Sequence, residues 1–129
     1  MNFAEKRKKI LIVDDEKDMV DLLQIELEKE DYNVISAYDG ENGLDKYLNE
    51  KPDLIILDVM MPKMTGHGFC RKIRREFDDN HTPILMLTAL SEDSDRIIGR
   101  VIGAEKYITK PFDIENLLKE VEELLSQRK

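Results

Sequence analysis

A doubly wound α/β domain, with a five-stranded parallel sheet in the order 2-1-3-4-5 and five helices, is the fold this sequence predicts. Three observations carry it. Short apolar runs alternate with amphipathic helical stretches five times from end to end, the pattern of a parallel sheet wrapped by helices through right-handed crossovers. Two of the runs, Leu54-Ile55-Ile56-Leu57 and Ile84-Leu85-Met86-Leu87, are apolar at every position, as strands covered on both faces must be. The second and fifth runs are the most polar, which suits the edges of the sheet.

Taken in order, Lys9-Ile10-Leu11-Ile12-Val13 reads as a buried strand that ends on Asp14-Asp15-Glu16. A helix follows from about Lys17 to Glu30, with Val20, Leu23 and Leu27 on one face and Leu22 and Ile25 off that stripe. Asn33-Val34-Ile35-Ser36-Ala37 is the second strand. Asp39-Gly40 turns the chain into a helix over Glu41 to Asn49, expected to turn Leu44, Tyr47 and Leu48 inward. Lys51-Pro52-Asp53 breaks the chain before the third strand, Leu54 to Leu57, which ends on Asp58. A loop over Met60 to Gly66 leads to a helix from about His67 to Phe77, carrying Phe69, Cys70, Ile73 and Phe77.

The fourth strand, Ile84 to Leu87, ends on Thr88. Ser91 is placed to cap a helix from Glu92 to Ile102, and Gly103 to stop it. Tyr107-Ile108-Thr109 is the last strand and ends on Lys110-Pro111. Asp113 then caps a final helix whose Ile114, Leu117, Leu118, Val121, Leu124 and Leu125 form one apolar stripe.

Composition bounds the function. The 129 residues make one domain, large enough for a real core, and 41% hydrophobic with 37% charged is a globular composition. A net charge of -8 argues against binding a phosphate backbone, and Lys6-Arg7-Lys8-Lys9 is a solvated strand entry rather than a nucleic-acid arm. Cys70 is the single cysteine and reads as a small buried apolar residue. His67 and His81 lack partners at metal-ligand spacing and read as surface or packing residues. With no apolar stretch of about 18 residues and no signal-like start, the cytoplasm is the expected location.

In the order 2-1-3-4-5, the flavodoxin-like arrangement, ligands bind where the strand order reverses, between the first and third strands. Asp14, Asp15 and Asp58 all end those two strands. Alone, Asp58 could equally cap a turn; together the three carboxylates form a constellation. Each like-charge pair at about 4 Å costs roughly 4 kcal/mol at an effective dielectric of about 20. Either a proton or a cation must relieve that, and hard oxygen ligands suit Mg²⁺. Thr88 adds a hydroxyl donor and Lys110 an ammonium at the same rim. A carboxylate nucleophile, a divalent cation, a hydroxyl and a lysine can accept a phosphoryl group on an aspartate.

Four segments carry a resemblance: Ile12-Val13-Asp14-Asp15-Glu16, Leu57-Asp58-Val59-Met60-Met61-Pro62, Leu87-Thr88-Ala89, and Gly103-Ala104-Glu105-Lys106-Tyr107-Ile108-Thr109-Lys110-Pro111-Phe112. Across essentially its whole length the chain resembles the CheY-like receiver domain of two-component response regulators. The resemblance implies a single receiver domain over residues 1–129. In it Asp58 is the phosphoacceptor, served by a sensor histidine kinase, a phosphotransfer protein or a small acyl phosphate. It implies Mg²⁺ (or Mn²⁺) held by Asp14, Asp15, Asp58 and the Met60 backbone carbonyl, with Thr88 and Lys110 on the phosphoryl oxygens. Tyr107 matches the aromatic switch position, and Lys110-Pro111 matches a bond that is usually cis. The readout surface would be the Glu92 to Ile102 helix, the Tyr107 strand and the last helix, facing an output domain or effector protein. Such a domain is a switch rather than an enzyme, catalysing only its own phosphorylation and dephosphorylation.

Two departures stand out: Thr65 where members commonly carry Asp, and Glu105-Lys106 where many carry two Asp. The second bears on dimerisation. In the transcription-factor branch that acidic pair meets basic residues of the last helix. Here the last helix has Lys119 among Glu115, Glu120, Glu122 and Glu123, so a monomer or a weak activation-dependent dimer is expected.

Other classes fit less well. An electron carrier with this sheet order needs a phosphate-cradling loop where Asp14-Asp15-Glu16 would repel FMN. An aspartate-nucleophile phosphatase puts two Asp two residues apart after the first strand, whereas Asp14 is followed two on by Glu16. A constitutive binding module would not need the full set of site residues.

Overall fold

The computed structural model describes residues 7–61, 64–89 and 103–126. Its elements are β1 (Lys9–Val13), α1 (Lys17–Lys29), β2 (Asn33–Ala37), α2 (Gly40–Glu50), β3 (Leu54–Asp58), α3 (Gly66–Arg71, continued by a π-helical turn over Lys72–Glu76), β4 (Ile84–Thr88), β5 (Lys106–Thr109) and α4 (Ile114–Ser126). The strands form one parallel sheet in the order β2-β1-β3-β4-β5, as the sequence predicts. The expected helix over residues 92–102, with its Ser91 cap, lies outside the described residues. So do the loop residues Pro62 and Lys63.

Successive side chains of a strand point to opposite faces, so a sheet buried on both sides divides its residues between two cores. Leu11, Val13, Ile55, Leu57, Ile84 and Met86 face α2 and α3 and pack with Tyr47, Phe69, Cys70 and Ile73. Ile10, Ile12, Leu54, Ile56, Leu85 and Leu87 face α1 and α4 and pack with Val20, Leu23, Leu27, Leu117 and Val121. All five residues of β3 and of β4 are buried. This wrapping is why a period-free apolar run, rather than an alternating one, marks the two central strands.

Local chemistry sets the ends of the helices. The Asp39 carboxylate accepts the Asn42 N–H at 2.8 Å and starts α2. Thr65, the first departure noted above, accepts the Gly68 N–H at 3.1 Å and starts α3. Asp113 accepts the Glu115 N–H at 3.1 Å at the head of α4, as expected of it. One inward assignment is corrected: Leu48 is 49% exposed. Leu48 follows Tyr47, which takes the inward position of that turn. Phe77 follows the π-helical turn, partly exposed, with its ring 5.8 Å from that of Tyr47.

The lower rim of the sheet, at the amino ends of β4 and β5, is tied by one half-buried arginine. Arg74, on the π-helical turn, donates to the carbonyls of Gly103, Asp79 and Thr82 and to the Glu105 carboxylate at 2.8–3.0 Å. Beneath it, Asp79 accepts from the Tyr47 hydroxyl at 2.6 Å, the Thr82 hydroxyl at 2.7 Å and the N–H groups of His81 and Thr82. Burial alone would push the Asp79 carboxyl up. The hydrogen bonds outweigh it and hold the group well below the usual carboxylate range. Cys70 is buried, and burial pushes its thiol up to about 11, so it behaves as an inert packing residue.

Candidate functional site

The upper rim, at the carboxyl ends of the strands, gathers the polar groups. Asp14 follows β1, its N–H bound to the Ala37 carbonyl at 3.1 Å, and its carboxylate is fully buried. One of its oxygens accepts the Glu16 N–H at 2.9 Å, closing a tight turn ahead of α1. Asp58 ends β3 and is 5% exposed. Its Oδ1 accepts the Met60 N–H at 3.3 Å, so the chain folds back over the carboxylate while the Met60 side chain points outward. Thr88 ends β4, buried, in register with Thr109 of β5.

Lys110 closes the arrangement from the next strand. Its N–H binds the Thr88 carbonyl at 2.7 Å, and the Lys110-Pro111 bond is cis, as expected. Its ammonium lies 3.0 Å from Glu16 Oε1, 3.2 Å from Asp14 Oδ2 and 3.6 Å from Asp58 Oδ1. One cation thus bridges three carboxylates.

The electrostatics follow from burial and crowding. Burial, then the charge of Asp14, push the Asp58 carboxyl up to about 6, against the pull of Lys110. Burial also raises Asp14, opposed by the Glu16 N–H and Lys110. Burial works against the Lys110 ammonium, but Glu16, Asp14 and Asp58 outweigh it and raise the group. Such a set is short of positive charge and resembles a site prepared for a cation or an anionic group that brings one.

The carboxylates of Asp14, Glu16 and Asp58 offer oxygens within 4.8 Å of one another. Three hard oxygen donors at that spacing, with Asp58 pushed up by burial and then by the charge of Asp14, fit a small divalent cation such as Mg²⁺. Asp15 is exposed and stands outside this close group, although its charge still reaches Asp58. Glu16, which the sequence reading did not assign to the site, joins Asp14 and Asp58 there. Its signal was its position in the acidic run at the end of β1. The direction each of three consecutive acidic side chains takes depends on the turn, which no periodicity encodes.

Tyr107 lies on β5, half-buried against the core cluster around Met86. Its hydroxyl meets His67 Nε2 at 2.8 Å. His67, read from sequence as a surface or packing residue, therefore has a specific partner at the site's flank. No spacing signal could have found a pair 40 residues apart. Glu105 and Lys106, the second departure, are held within the chain: Glu105 by Arg74 at 2.9 Å and Lys106 by Glu120 at 2.8 Å.

Comparison with known proteins places this geometry. The model of the response regulator receiver domain family matches residues 10–122. Response regulator ArlR of Staphylococcus aureus is 47% identical over 119 residues, covering 92% of this chain and 53% of ArlR. The chain thus spans about half the length of the curated relatives it matches. Chemotaxis protein CheY4 of Vibrio cholerae superposes with a TM-score of 0.87 at 36% identity, covering 92% of this chain and 99% of its own. Response regulator TrrA of Thermotoga maritima, solved in complex with Mg²⁺ and BeF, superposes with a TM-score of 0.82 at 35% identity over 92% of this chain and 99% of its own.

Proposed function

We propose, on the premise that this chain belongs to the response regulator receiver domain family of two-component signalling, that it accepts a phosphoryl group on Asp58. The donor is a sensor histidine kinase or a phosphotransfer protein. The observation that carries this reading is the single ammonium of Lys110 within 3.6 Å of Asp58 and at hydrogen-bonding distance from Asp14 and Glu16, at one rim of the sheet.

An oxygen of ionised Asp58 attacks the phosphorus of a phosphohistidine in line with the P–N bond. The P–N bond breaks, its electrons return to the imidazole, and an acyl phosphate forms on Asp58. With its carboxyl at about 6, Asp58 is mostly ionised at neutral pH, and the Met60 N–H holds its orientation. Lys110 gives up part of its pairing with Asp14 and Glu16 to meet the incoming phosphoryl oxygens, and the Thr88 hydroxyl donates to another. Asp14, Asp15 and Asp58 would hold Mg²⁺, directly or through water, together with the Met60 backbone carbonyl and with Glu16 alongside. Bound there, the cation supplies neutralisation of the charge on the transferring group. Tyr107 is the switch residue: its ring follows Thr88 once the phosphoryl group is in place, and an output domain or effector protein reads the changed face.

The test is direct. Acetyl phosphate with Mg²⁺ should load one phosphoryl group onto Asp58, measured by intact mass and peptide mapping, and EDTA should prevent it. Continuous hydrolysis with no stable adduct would instead indicate a phosphatase and overturn the assignment.

Kinase docking is assigned to α1, where Leu22 and Ile25 are 46% and 54% exposed on the face turned away from the core. Leu22→Asp is expected to slow transfer from the histidine kinase at least tenfold, the equivalent of about 1.4 kcal/mol. Loading from acetyl phosphate should be unaffected. Equal transfer rates for variant and wild type would move the docking site elsewhere. The in-chain pairs Lys106–Glu120 and Arg74–Glu105 support a monomer or a weak activation-dependent dimer, because the groups that would reach a second copy already have partners. Among the described residues no helix is long and apolar enough to cross a membrane, and we place the domain in the cytoplasm with its kinase's catalytic region.

A further inference from the structure

We propose that His67 positions Tyr107, holding the switch ring against the core and tying its orientation to the helix seated on Asp58. The inference rests on the reading of Tyr107 as the switch residue and adds a partner for it that lies outside the Thr88 side of the site.

Two contacts define the pair. His67 Nε2 and the Tyr107 hydroxyl are 2.8 Å apart, and the two rings lie 6.3 Å apart at 38°. Either the phenol O–H donates to an unprotonated Nε2, or Nε2–H donates to the phenol oxygen; both bind the ring in the same place. The apolar body of Tyr107 packs against the core cluster while its polar end is met by His67. A half-buried tyrosine whose hydroxyl loses such a partner gains by turning that hydroxyl into water.

His67 is itself firmly placed. It is the second residue of α3, whose first turn is closed by the Thr65 side chain on the Gly68 N–H. Directly before it, the Gly66 N–H binds the Val59 carbonyl at 2.9 Å. A Cβ at Gly66 would collide with the Asp58 carbonyl oxygen, so backbone lies on backbone there with no slack. A shift of the Asp58–Val59 segment on phosphorylation therefore moves the base of α3, and with it the imidazole that holds Tyr107. The ring is the two-state element, and His67 stabilises its inward state. A hydrogen bond of this kind converts to a roughly two- to tenfold shift in population.

The test uses the full chain labelled with fluorotyrosine, with the Tyr107 resonance assigned by Tyr107→Phe. In His67→Leu, which keeps apolar bulk and removes the ring nitrogen, the Tyr107 resonance should move toward its solvent-exposed position. The beryllofluoride concentration for half-conversion, with Mg²⁺ saturating, should rise roughly two- to tenfold. His67→Gln, which can still reach the hydroxyl, should lie between wild type and His67→Leu. If His67→Leu does not fold, Tyr107→Phe removes the same bond from the other side and should raise the half-conversion concentration to the same degree. A His67→Leu protein that folds and binds beryllofluoride, but whose Tyr107 resonance and half-conversion stay at wild-type values, overturns the positioning role alone. Wild-type protein whose Asp58 and Thr88 amide shifts ignore beryllofluoride overturns the receiver switch and this inference with it.

Discussion

Asp58→Asn is expected to accept no phosphoryl group from acetyl phosphate or from a kinase, and to be more stable than the wild type in metal-free buffer at neutral pH. The two effects share one cause. The site keeps a nucleophilic carboxylate in a buried place beside Asp14, and burial with that repulsion raises its pKa to about 6. The sign is set by proton linkage. A carboxyl bound more tightly to its proton when folded than when unfolded favours folding at low pH, and that contribution is lost as pH rises through about 6. Below the unfolded value both states are protonated and the substitution should change little. Above about 6 the ionised carboxylate costs about 3 kcal/mol, since each unit of pKa shift is worth about 1.4 kcal/mol. Asparagine keeps the shape and can accept the Met60 N–H, but carries no charge. Thermal melts of both proteins across this pH range in EDTA provide the check, and coincident curves would contradict it. With Mg²⁺ present the wild type should recover most of the difference, because the cation relieves the same repulsion.

Arg74→Ala carries the other large effect: a loss of about 1–3 kcal/mol of stability, the usual consequence of leaving hydrogen-bonding groups of the fold without their partner. Its side chain is only 9% exposed, and it satisfies three backbone carbonyls as well as Glu105. Without it the carbonyls of Gly103, Asp79 and Thr82, half-buried or buried at the amino ends of β4 and β5, lose this donor. Gly103, with φ of 100°, holds a backbone conformation chosen to present its carbonyl to this guanidinium. A loss of that size is a large share of a typical domain's roughly 5–15 kcal/mol. Arg74→Lys should recover little, because one ammonium cannot span four acceptors that a planar fork reaches together. Urea denaturation measures this, and a loss under about 1 kcal/mol would show that the network is dispensable. Because Arg74 works at the rim opposite Asp58, the folded fraction of either variant should still be loaded by acetyl phosphate.

Much of this was legible in the chain. Five apolar runs with two unbroken centres determine a doubly wound parallel sheet, because only strands covered on both faces are apolar at every position. That order places the residues ending β1, β3, β4 and β5 at one rim, so Asp14, Asp58, Thr88 and Lys110 assemble without any knowledge of side-chain direction. The apolar stripe of α4 and the exposed Leu22 and Ile25 of α1 follow from helical period in the same way. Tertiary structure alone decided the rest. Glu16 joins Asp14 and Asp58 because a turn, not a period, aims its side chain. Leu48 faces outward because the neighbouring Tyr47 takes the inward position of that turn. His67 meets Tyr107, and Arg74 meets Gly103, across 40 and 29 residues. Hydrogen bonds between such distant positions are products of the folded arrangement, and residue spacing carries no trace of them.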